Sequence, residues 1–188
     1  MKTIKSMKTF MIALAAGIIA ISCSSDDDNT PPEVINEEEV ITTLRVQLTN
    51  TAGNVTLQSV DSDGEDGPNP PVITIVGDIM ANTTYNGTVA FLNETESPAE
   101  DITEEVEEED DEHQVFYTPA AGLNITTEYG NFDGDGNPLG TVFTLTTGDA
   151  SDGNFTVTLR HEPTKPNTGL ADAGGETDIE VTFAVTVQ

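Results

Sequence analysis

Apolar and polar residues alternate in several short segments, and this alternation limits how the chain can fold. In the last segment Ile179, Val181, Phe183, Val185 and Val187 occupy every second position. Successive side chains of a strand point to opposite faces of a sheet, so this spacing predicts a strand with one buried face. Strand-like segments are predicted at residues 40–48, 54–60, 72–76, 83–92, 113–117, 123–128, 140–147, 155–161 and 178–187.

Turn-forming residues separate these segments, as in the Gly/Asp/Asn-rich residues 130–138 and the loop at 163–176. About eight or nine short antiparallel strands in one domain are typical of a β-sandwich. A helical pattern occurs once and does not alternate with strands, which argues against a parallel α/β fold. The sequence therefore predicts an all-β, Ig-like antiparallel sandwich over residues 40–188, with one short acidic helix inserted between strands.

The inserted segment is rich in carboxylates. Residues 94–112 hold twelve of the 34 acidic residues and no lysine or arginine. Ser97 at the N-cap, Pro98 at the first helical position and Glu100 in a capping box predict a helix from Pro98 to about Glu112. Like charges four residues apart disfavour such a helix. Water and salt, a bound cation or a basic partner would offset that repulsion.

The N-terminal residues have the pattern of a bacterial lipoprotein signal. Basic residues precede a short apolar run that ends in Ala20-Ile21-Ser22-Cys23, which resembles a lipobox and implies lipidation of Cys23. Cys23 is the single cysteine, so no disulfide can form within the domain. We predict a signal peptide at residues 1–22 and a lipidated acidic tether at 23–39; an ordinary signal peptide is the alternative.

An acidic cluster, Asp26-Asp27-Asp28, follows the cysteine closely. It resembles the signal that exports lipoproteins of Bacteroidota to the outer face of the outer membrane. The predicted location is therefore the outer membrane, with a lipid anchor and the domain facing the cell exterior. The alternative is that the cluster is only a solvated part of the tether.

The mature chain is strongly acidic. Removing the signal peptide takes three of the six basic residues and none of the 34 acids, which leaves a net charge of −31. This charge excludes nucleic acids and anionic lipid surfaces as electrostatic partners. It favours cations, a basic protein partner, or simply solubility in salty surroundings.

The two histidines of the chain suggest a metal site. On a continuous helix Glu105, Glu109 and His113 would share one face, and imidazole with carboxylates suits zinc or another first-row divalent ion. His161 and Glu162, at the end of a predicted strand, would complete the site if the fold brought them near. The predicted ligands are His113, His161, Glu162, Glu105, Glu109 and Glu112. The alternative is that the acids form a solvated face.

Two loops carry oxygen ligands at alternating positions, as calcium-binding loops do. Neither has the full spacing of an EF-hand, and Asp-Gly and Asn-Gly are also ordinary turn sequences. Calcium is therefore a second predicted ion. Its candidate ligands are Asn131, Asp133, Asp135 and Asn137 in one loop, and Asp61, Asp63 and Glu65 in the other.

The sequence offers little for catalysis. Its single cysteine is assigned to lipidation, and no G-x-S-x-G motif occurs. The chain lacks tryptophan and has few aromatic residues to stack on a sugar. We therefore predict that the protein is not an enzyme.

Three stretches carry a resemblance to a group of lipoproteins: residues 93–116, 159–163 and 173–181. They look like uncharacterised outer-membrane lipoproteins of flavobacteria and related Bacteroidota. Some of those proteins are labelled "type 1 periplasmic binding fold", an α/β domain from which the strand pattern here departs. The resemblance implies an association with a TonB-dependent receptor.

Two functions are predicted from these observations. The first is a surface-exposed lipoprotein that binds a divalent metal ion or metal complex as an accessory to a TonB-dependent transporter. The second is a structural or adhesive surface module that calcium stabilises, with no role in transport. The first depends on the histidines, whereas the second depends on Asp133 and Asp135.

Overall fold

The computed structural model describes residues 39–51, 53–64 and 67–188. The predicted signal peptide, Cys23, nearly all of the tether and Glu65 lie outside this part of the chain. The strands within it are β1 Thr43–Thr49, β2 Asn54–Val60, β3 Val72–Val76, β4 Thr84–Asn93, β5 Glu100–Asp101, β6 His113–Pro119, β7 Ile125–Tyr129, β8 Val142–Thr147, β9 Ser151–His161 and β10 Glu176–Val187. The helices are α1 Ile102–Glu108 and α2 Leu170–Ala173.

The strands form two sheets, and the named strands pair only in antiparallel fashion. The larger sheet has the order β3-β2-β1-β4-β8-β7, with the short β5 beside β4, and the smaller sheet has the order β10-β9-β6. The predicted all-β sandwich is confirmed. α2 lies in the long loop that the sequence predicts before the last strand, where no helix was expected.

Alternate residues of both sheets meet in one apolar core. Leu44, Val46 and Leu48 of β1 are fully buried, and Phe155 and Phe183 reach the same core from the smaller sheet. Burial of such side chains stabilises the folded state by about 25 cal/mol for each Å² of apolar surface that is removed from water. The period-two pattern of the sequence thus corresponds to the inward-facing residues of the two sheets.

β3 differs from the expected strand in its burial. The apolar run Val72–Val76 predicts a strand of these bounds, but the strand lies at the edge of the larger sheet and all five of its residues are exposed. Only β2 pairs with it within the described residues. An apolar run predicts a strand from local propensity, whereas burial depends on how far the facing sheet extends.

The predicted bounds of the acidic helix are wrong. α1 begins at Ile102, and its N-cap is Asp101, whose carboxylate accepts a hydrogen bond from Thr103 N at 3.1 Å. Glu100 and Asp101 instead pair with the end of β4 as β5. The pairing with β4 uses residues that the sequence assigns to the helix. The helix also ends before His113, which opens β6, so the predicted continuous face with Glu105 and Glu109 is not formed.

α1 is held firmly against the sandwich. Ile102 and Val106, four residues apart, are both buried, as their spacing predicts. The Thr103 hydroxyl accepts a hydrogen bond from Phe91 N (2.9 Å) and donates one to Phe91 O (3.3 Å). The acidic residues of α1 therefore stand on a helix that is fixed to β4. No helix in the described part of the chain is long and apolar enough to span a membrane.

Candidate metal centre

The two histidines lie side by side on neighbouring strands. His113 begins β6 and His161 ends β9, and the antiparallel register places them directly opposite one another. Both side chains are buried, and their ring centroids are 4.6 Å apart. Two polar rings that are brought together in the interior need polar partners, because burial of an unsatisfied polar group is costly.

His113 is oriented by the backbone at the end of α1. Its Nδ1 lies 3.2 Å from the Glu109 carbonyl oxygen. A carbonyl oxygen only accepts, so Nδ1 carries the hydrogen and donates it. This leaves Nε2 to face the Glu39 carboxylate at 3.1 Å. A histidine whose second nitrogen is held by a carbonyl has the arrangement commonly found in metal ligands.

Glu39 lies between the two histidines. Its Oε1 is 3.1 Å from His113 Nε2, and its Oε2 is 3.7 Å from His161 Nδ1. The Glu39 side chain is only 5 % exposed. Oε2 accepts no hydrogen bond from any described residue. A buried carboxylate oxygen in this position can receive either a proton donor or a cation.

Asp178 completes the group through an irregularity of β10. The register between β9 and β10 shifts between Thr177 and Ile179, and such a bulge redirects a side chain. The Asp178 carboxylate is 1 % exposed, and its Oδ1 lies 3.8 Å from His161 Nδ1. Close approach of the two strands at this point requires Gly175 (φ +71°), because a Cβ there would overlap the His161 carbonyl oxygen.

The four side chains suit a first-row divalent ion. One ligand atom from each of Glu39, His113, His161 and Asp178 can be chosen so that all lie within 4.8 Å of one another. Ligands at about 2.0–2.2 Å from a tetrahedral zinc ion lie about 3.3–3.6 Å apart. The separations of 3.1 Å from His113 to Glu39 Oε1, 3.7 Å from His161 to Glu39 Oε2 and 3.8 Å from His161 to Asp178 are in a similar range. Two carboxylates also balance the charge of one divalent ion.

The other predicted zinc ligands lie around this group at different distances. Glu112 Oε2 is 3.9 Å from His161 Nε2, and the Glu112 side chain is half exposed. Glu105 and Glu109 are exposed and form a second carboxylate group with Glu39. Glu162 has an exposed side chain and is absent from both groups; its backbone N–H donates to the Glu112 carbonyl at 2.6 Å.

Glu39 and His113 shift each other's pKa. Burial alone would lower the pKa of His113, but the hydrogen bond and charge of Glu39, the Glu109 carbonyl and the Asp178 charge together raise it above 6.5. Burial alone would raise the pKa of Glu39, but its hydrogen bond to His113 and other favourable contacts lower it below 4.5. The metal-free pair is therefore favoured as carboxylate and imidazolium.

This ion pair should give the metal-free protein a pH-dependent stability. A raised histidine pKa stabilises the folded state below about pH 6.5, and the stabilisation is lost as pH rises through the folded pKa. A lowered glutamate pKa stabilises it above about pH 4.5, and this contribution is lost as pH falls through the folded pKa. With a chelator present, we expect Glu39→Gln to lower the free energy of unfolding more at pH 5.5 than at pH 8.5. Urea unfolding at both values measures this, and equal losses would contradict the ion pair.

The loop with Asp133 is closed by a lysine. Asp133 Oδ1 accepts hydrogen bonds from the backbone N–H groups of Asp135 (3.0 Å) and Asn137 (2.8 Å), and Oδ2 lies 3.3 Å from Lys165 Nζ. Lys165 also donates to the carbonyls of Asp110 (2.6 Å) and His113 (2.7 Å). The ammonium group of Lys165 therefore lies beside Asp133, where the sequence analysis predicts a calcium ion.

Other candidate calcium ligands accept hydrogen bonds from nearby groups of the protein. Asn131 Oδ1 accepts hydrogen bonds from the backbone N–H groups of Gly140 (3.1 Å) and Val142 (3.0 Å). In the other loop Asp61 Oδ1 accepts from Asp63 N (3.3 Å). Asp63 Oδ2 accepts from the backbone and side chain of Asn69. These contacts are those of ordinary turns.

Comparisons with known proteins identify no relative of this chain. No protein-family model, curated protein or solved structure matches the chain. The resemblance to flavobacterial lipoproteins therefore stays a prediction. The observation that bears on function is therefore the pair of buried histidines, whose rings face two buried carboxylate side chains.

Sequence reasoning missed three residues of this region: Glu39, Asp178 and Lys165. Glu39 falls in the segment predicted to be a tether, yet it contacts both histidines. Asp178 is polar at a position that strict alternation would turn away from the core, and only the bulge brings it inward. Lys165 could have been singled out as one of three basic residues outside the predicted signal peptide.

Proposed function

We propose that this protein binds a first-row divalent metal ion, with zinc the best match, through Glu39, His113, His161 and Asp178. Two imidazoles and two carboxylates are borderline and hard ligands that suit zinc and its neighbours in the first transition series. We further propose that it does so as a lipid-anchored protein of the outer membrane that serves a TonB-dependent transporter.

The contact between His113 Nε2 and Glu39 Oε1 carries the metal proposal. When His113 is neutral, its Nδ1 holds the hydrogen and donates it to Glu109 O, so Nε2 presents a lone pair to a carboxylate. Two acceptors at 3.1 Å repel each other unless a positive charge lies between them. A proton has this role in the metal-free protein. At neutral or higher pH a divalent ion competes for the same lone pair, and its binding releases that proton.

The transport role is supported by the sequence rather than by the site. The lipobox-like end of the signal peptide at Cys23, the acidic cluster that follows it, and the resemblance to flavobacterial lipoproteins all favour an anchored, outward-facing protein. A metal-binding protein in that position could deliver an ion to an outer-membrane receptor. A zinc site whose ligands are lost on protonation would also release its ion in a mildly acidic environment.

Zinc is expected to stabilise the folded protein. A ligand that binds only the folded state adds about 2.7 kcal/mol at one hundred times its dissociation constant. We expect zinc to raise the melting temperature of the full-length protein at pH 7.5, after chelation and without a polyhistidine tag. His113→Ala with His161→Ala should abolish the shift, and Asp178→Asn should reduce it.

Glu162→Gln is the matched control for this experiment. It removes an exposed carboxylate next to His161 that lies outside the site, so the zinc shift should remain. A zinc shift that survives loss of both histidines would exclude the proposed site. A calcium shift that Asp133→Asn abolishes, without any zinc shift, would favour the calcium-stabilised structural module instead.

A further inference from the structure

The strand β3 leaves one edge of the larger sheet open. It pairs with β2 along its full length, and no other strand among the described residues pairs with it. All five of its residues are exposed. The open edge of a strand presents unpaired backbone N–H and C=O groups, onto which another strand can add. β3 therefore has the backbone groups that pairing with a further strand requires.

β3 lacks the features that protect exposed edges. Proteins commonly block such edges with charged side chains, proline or a β-bulge. Each of the other strands at a sheet edge in the described chain has one of these: β6 ends in Pro119, β7 contains Glu128, and β10 contains a bulge and Asp178. β3 contains no charge and no proline, and its register with β2 is regular. Of these edges, β3 is therefore the most open to pairing.

β3 also exposes apolar side chains on both of its faces. Ile75 lies opposite the fully buried Leu57 of β2, so Ile75 and Ile73 are on the core-facing side of the sheet. They are nevertheless 38 % and 43 % exposed. Val72 and Val76 project from the other face, and each is 65 % exposed. A strand added beside β3 would cover part of this apolar surface on both faces, which favours its addition.

The sequence of β3 is the same in both directions. It reads Val-Ile-Thr-Ile-Val from Val72 to Val76, with Thr74 at the centre. Two copies of the strand can therefore pair in antiparallel fashion about a two-fold axis at Thr74, with like side chains opposite one another. Thr74 then lies opposite Thr74 of the second copy, and each Ile73 lies opposite an Ile75. Cross-strand pairs of β-branched residues stabilise such an arrangement.

The residues on either side of β3 limit the register of this pairing. Pro71 precedes the strand, and Gly77 follows it in a left-handed conformation (φ +92°). Proline has no backbone N–H to donate, so the ladder of hydrogen bonds cannot continue past Val72. A shift by two residues would leave only three of the five residues of each strand paired. The register that pairs all five is therefore the two-fold symmetric one.

The charge of the protein limits where two copies can meet. The predicted mature chain carries a net charge of −31, so acidic surfaces of two copies repel each other. Residues 67–77, which include β3, contain no charged side chain. Five paired residues in each copy bury less than the standard interface of about 1,200–2,000 Å². The expected dimer is therefore weak, depends on protein concentration, and becomes stronger as salt screens the remaining charge.

We infer that two copies of this protein associate through β3, in an antiparallel, two-fold symmetric dimer centred on Thr74. The two larger sheets then form one continuous sheet across the interface. Two isoleucines from each copy lie together on the core-facing side, and two valines from each copy flank the threonine pair on the other side. The dimer does not depend on the proposed metal site, since none of the four proposed ligands lies in β3.

Sedimentation equilibrium tests this inference. The full-length, untagged protein is measured at pH 7.5 with a chelator, over roughly a hundredfold range of concentration that begins in the micromolar region. We expect the wild type to pass from monomer to dimer, and Thr74→Glu to weaken association by about tenfold or more, because it places two carboxylates directly opposite one another. Thr126→Glu is the matched control, since it adds the same charge to an exposed threonine of β7, at the opposite edge of the same sheet. It should dimerise as the wild type does. A wild type that stays monomeric, a dimer that Thr74→Glu leaves intact, or equal weakening by both variants would overturn the inference.

Disulfide cross-linking tests the register of the two strands. In a Cys23→Ser background, Thr74→Cys should give a covalent dimer with oxidised glutathione, because Cα atoms directly opposite one another in an antiparallel pair are about 4.5–5.5 Å apart. Val72→Cys is its matched control. In the proposed register the two copies of residue 72 are four residues out of step, about 13–14 Å apart, which exceeds the reach of a disulfide of about 7 Å. Covalent dimer that forms as readily with Val72→Cys as with Thr74→Cys would contradict the two-fold pairing.

Discussion

Replacing Phe183 by alanine is expected to lower the free energy of unfolding by about 3–5 kcal/mol, the range for removal of a buried aromatic ring. Phe183 lies in the middle of β10, pairs with Phe155 of β9 in the strand register, and is fully buried in the core between the sheets. The loss combines the hydrophobic transfer of the ring with the cavity it leaves. Urea unfolding at pH 7.5, with a chelator present, measures the change.

Phe132→Ala is the control for this substitution. Phe132 is 52 % exposed, so its truncation should change the free energy of unfolding by less than about 0.5 kcal/mol. The zinc-induced shift should persist in Phe183→Ala if the variant still folds, because the four proposed metal ligands are unchanged. Similar losses for the two phenylalanines would contradict the sandwich core described here.

Replacing Lys165 by methionine is expected to lower the free energy of unfolding by about 3 kcal/mol, at the low end for breaking a buried ion pair. The side chains of Lys165 and Asp133 are 6 % and 2 % exposed. Methionine keeps most of the volume but leaves the Asp133 carboxylate without its ammonium partner. It also removes the donor to the carbonyls of Asp110 and His113, where the chain passes from α1 to β6.

A double-mutant cycle separates the charge effect from packing. Asp133→Asn alone leaves the lysine buried without its carboxylate, whereas Lys165→Met with Asp133→Asn removes both charges. We expect the double variant to lose clearly less stability than the two single losses combined. Additive losses would show that the pair is not coupled. The Lys165→Met variant should also bind zinc more weakly, since Lys165 holds the backbone of His113.

The proposed centre joins two parts of the chain that are distant in sequence. Three of the proposed ligands lie on the smaller sheet, at the paired ends of β6 and β9 and at the bulge of β10. The fourth, Glu39, precedes β1 and is the last residue of the predicted tether. A metal ion bound by all four would therefore fasten the start of the domain to the smaller sheet. Metal binding is expected to protect the backbone around residue 39 from hydrogen exchange in proportion to the zinc-induced stabilisation.

Residues of the site differ in how well the sequence predicts them. His113 and His161 attract attention because they are the two histidines of the chain and adjoin acidic residues. Glu105 and Glu109 were predicted as ligands on a helix that continues to His113, but α1 ends earlier and they face Glu39 instead. Glu39 is 74 residues from His113 in sequence. No local pattern relates residues so far apart.

The sequence by itself determined the strands and the class of fold, because alternation at period two reflects the local geometry of a strand and the burial of one face. It also determined that Ile102 and Val106 would be buried on a short acidic helix. Only the tertiary structure decided that β3 is an exposed edge, that Lys165 closes the Asp133 loop, and that Glu39 and Asp178 meet the histidines. Those outcomes depend on sheet order, strand register and one bulge, which arise from pairing between distant segments rather than from the spacing of neighbouring residues.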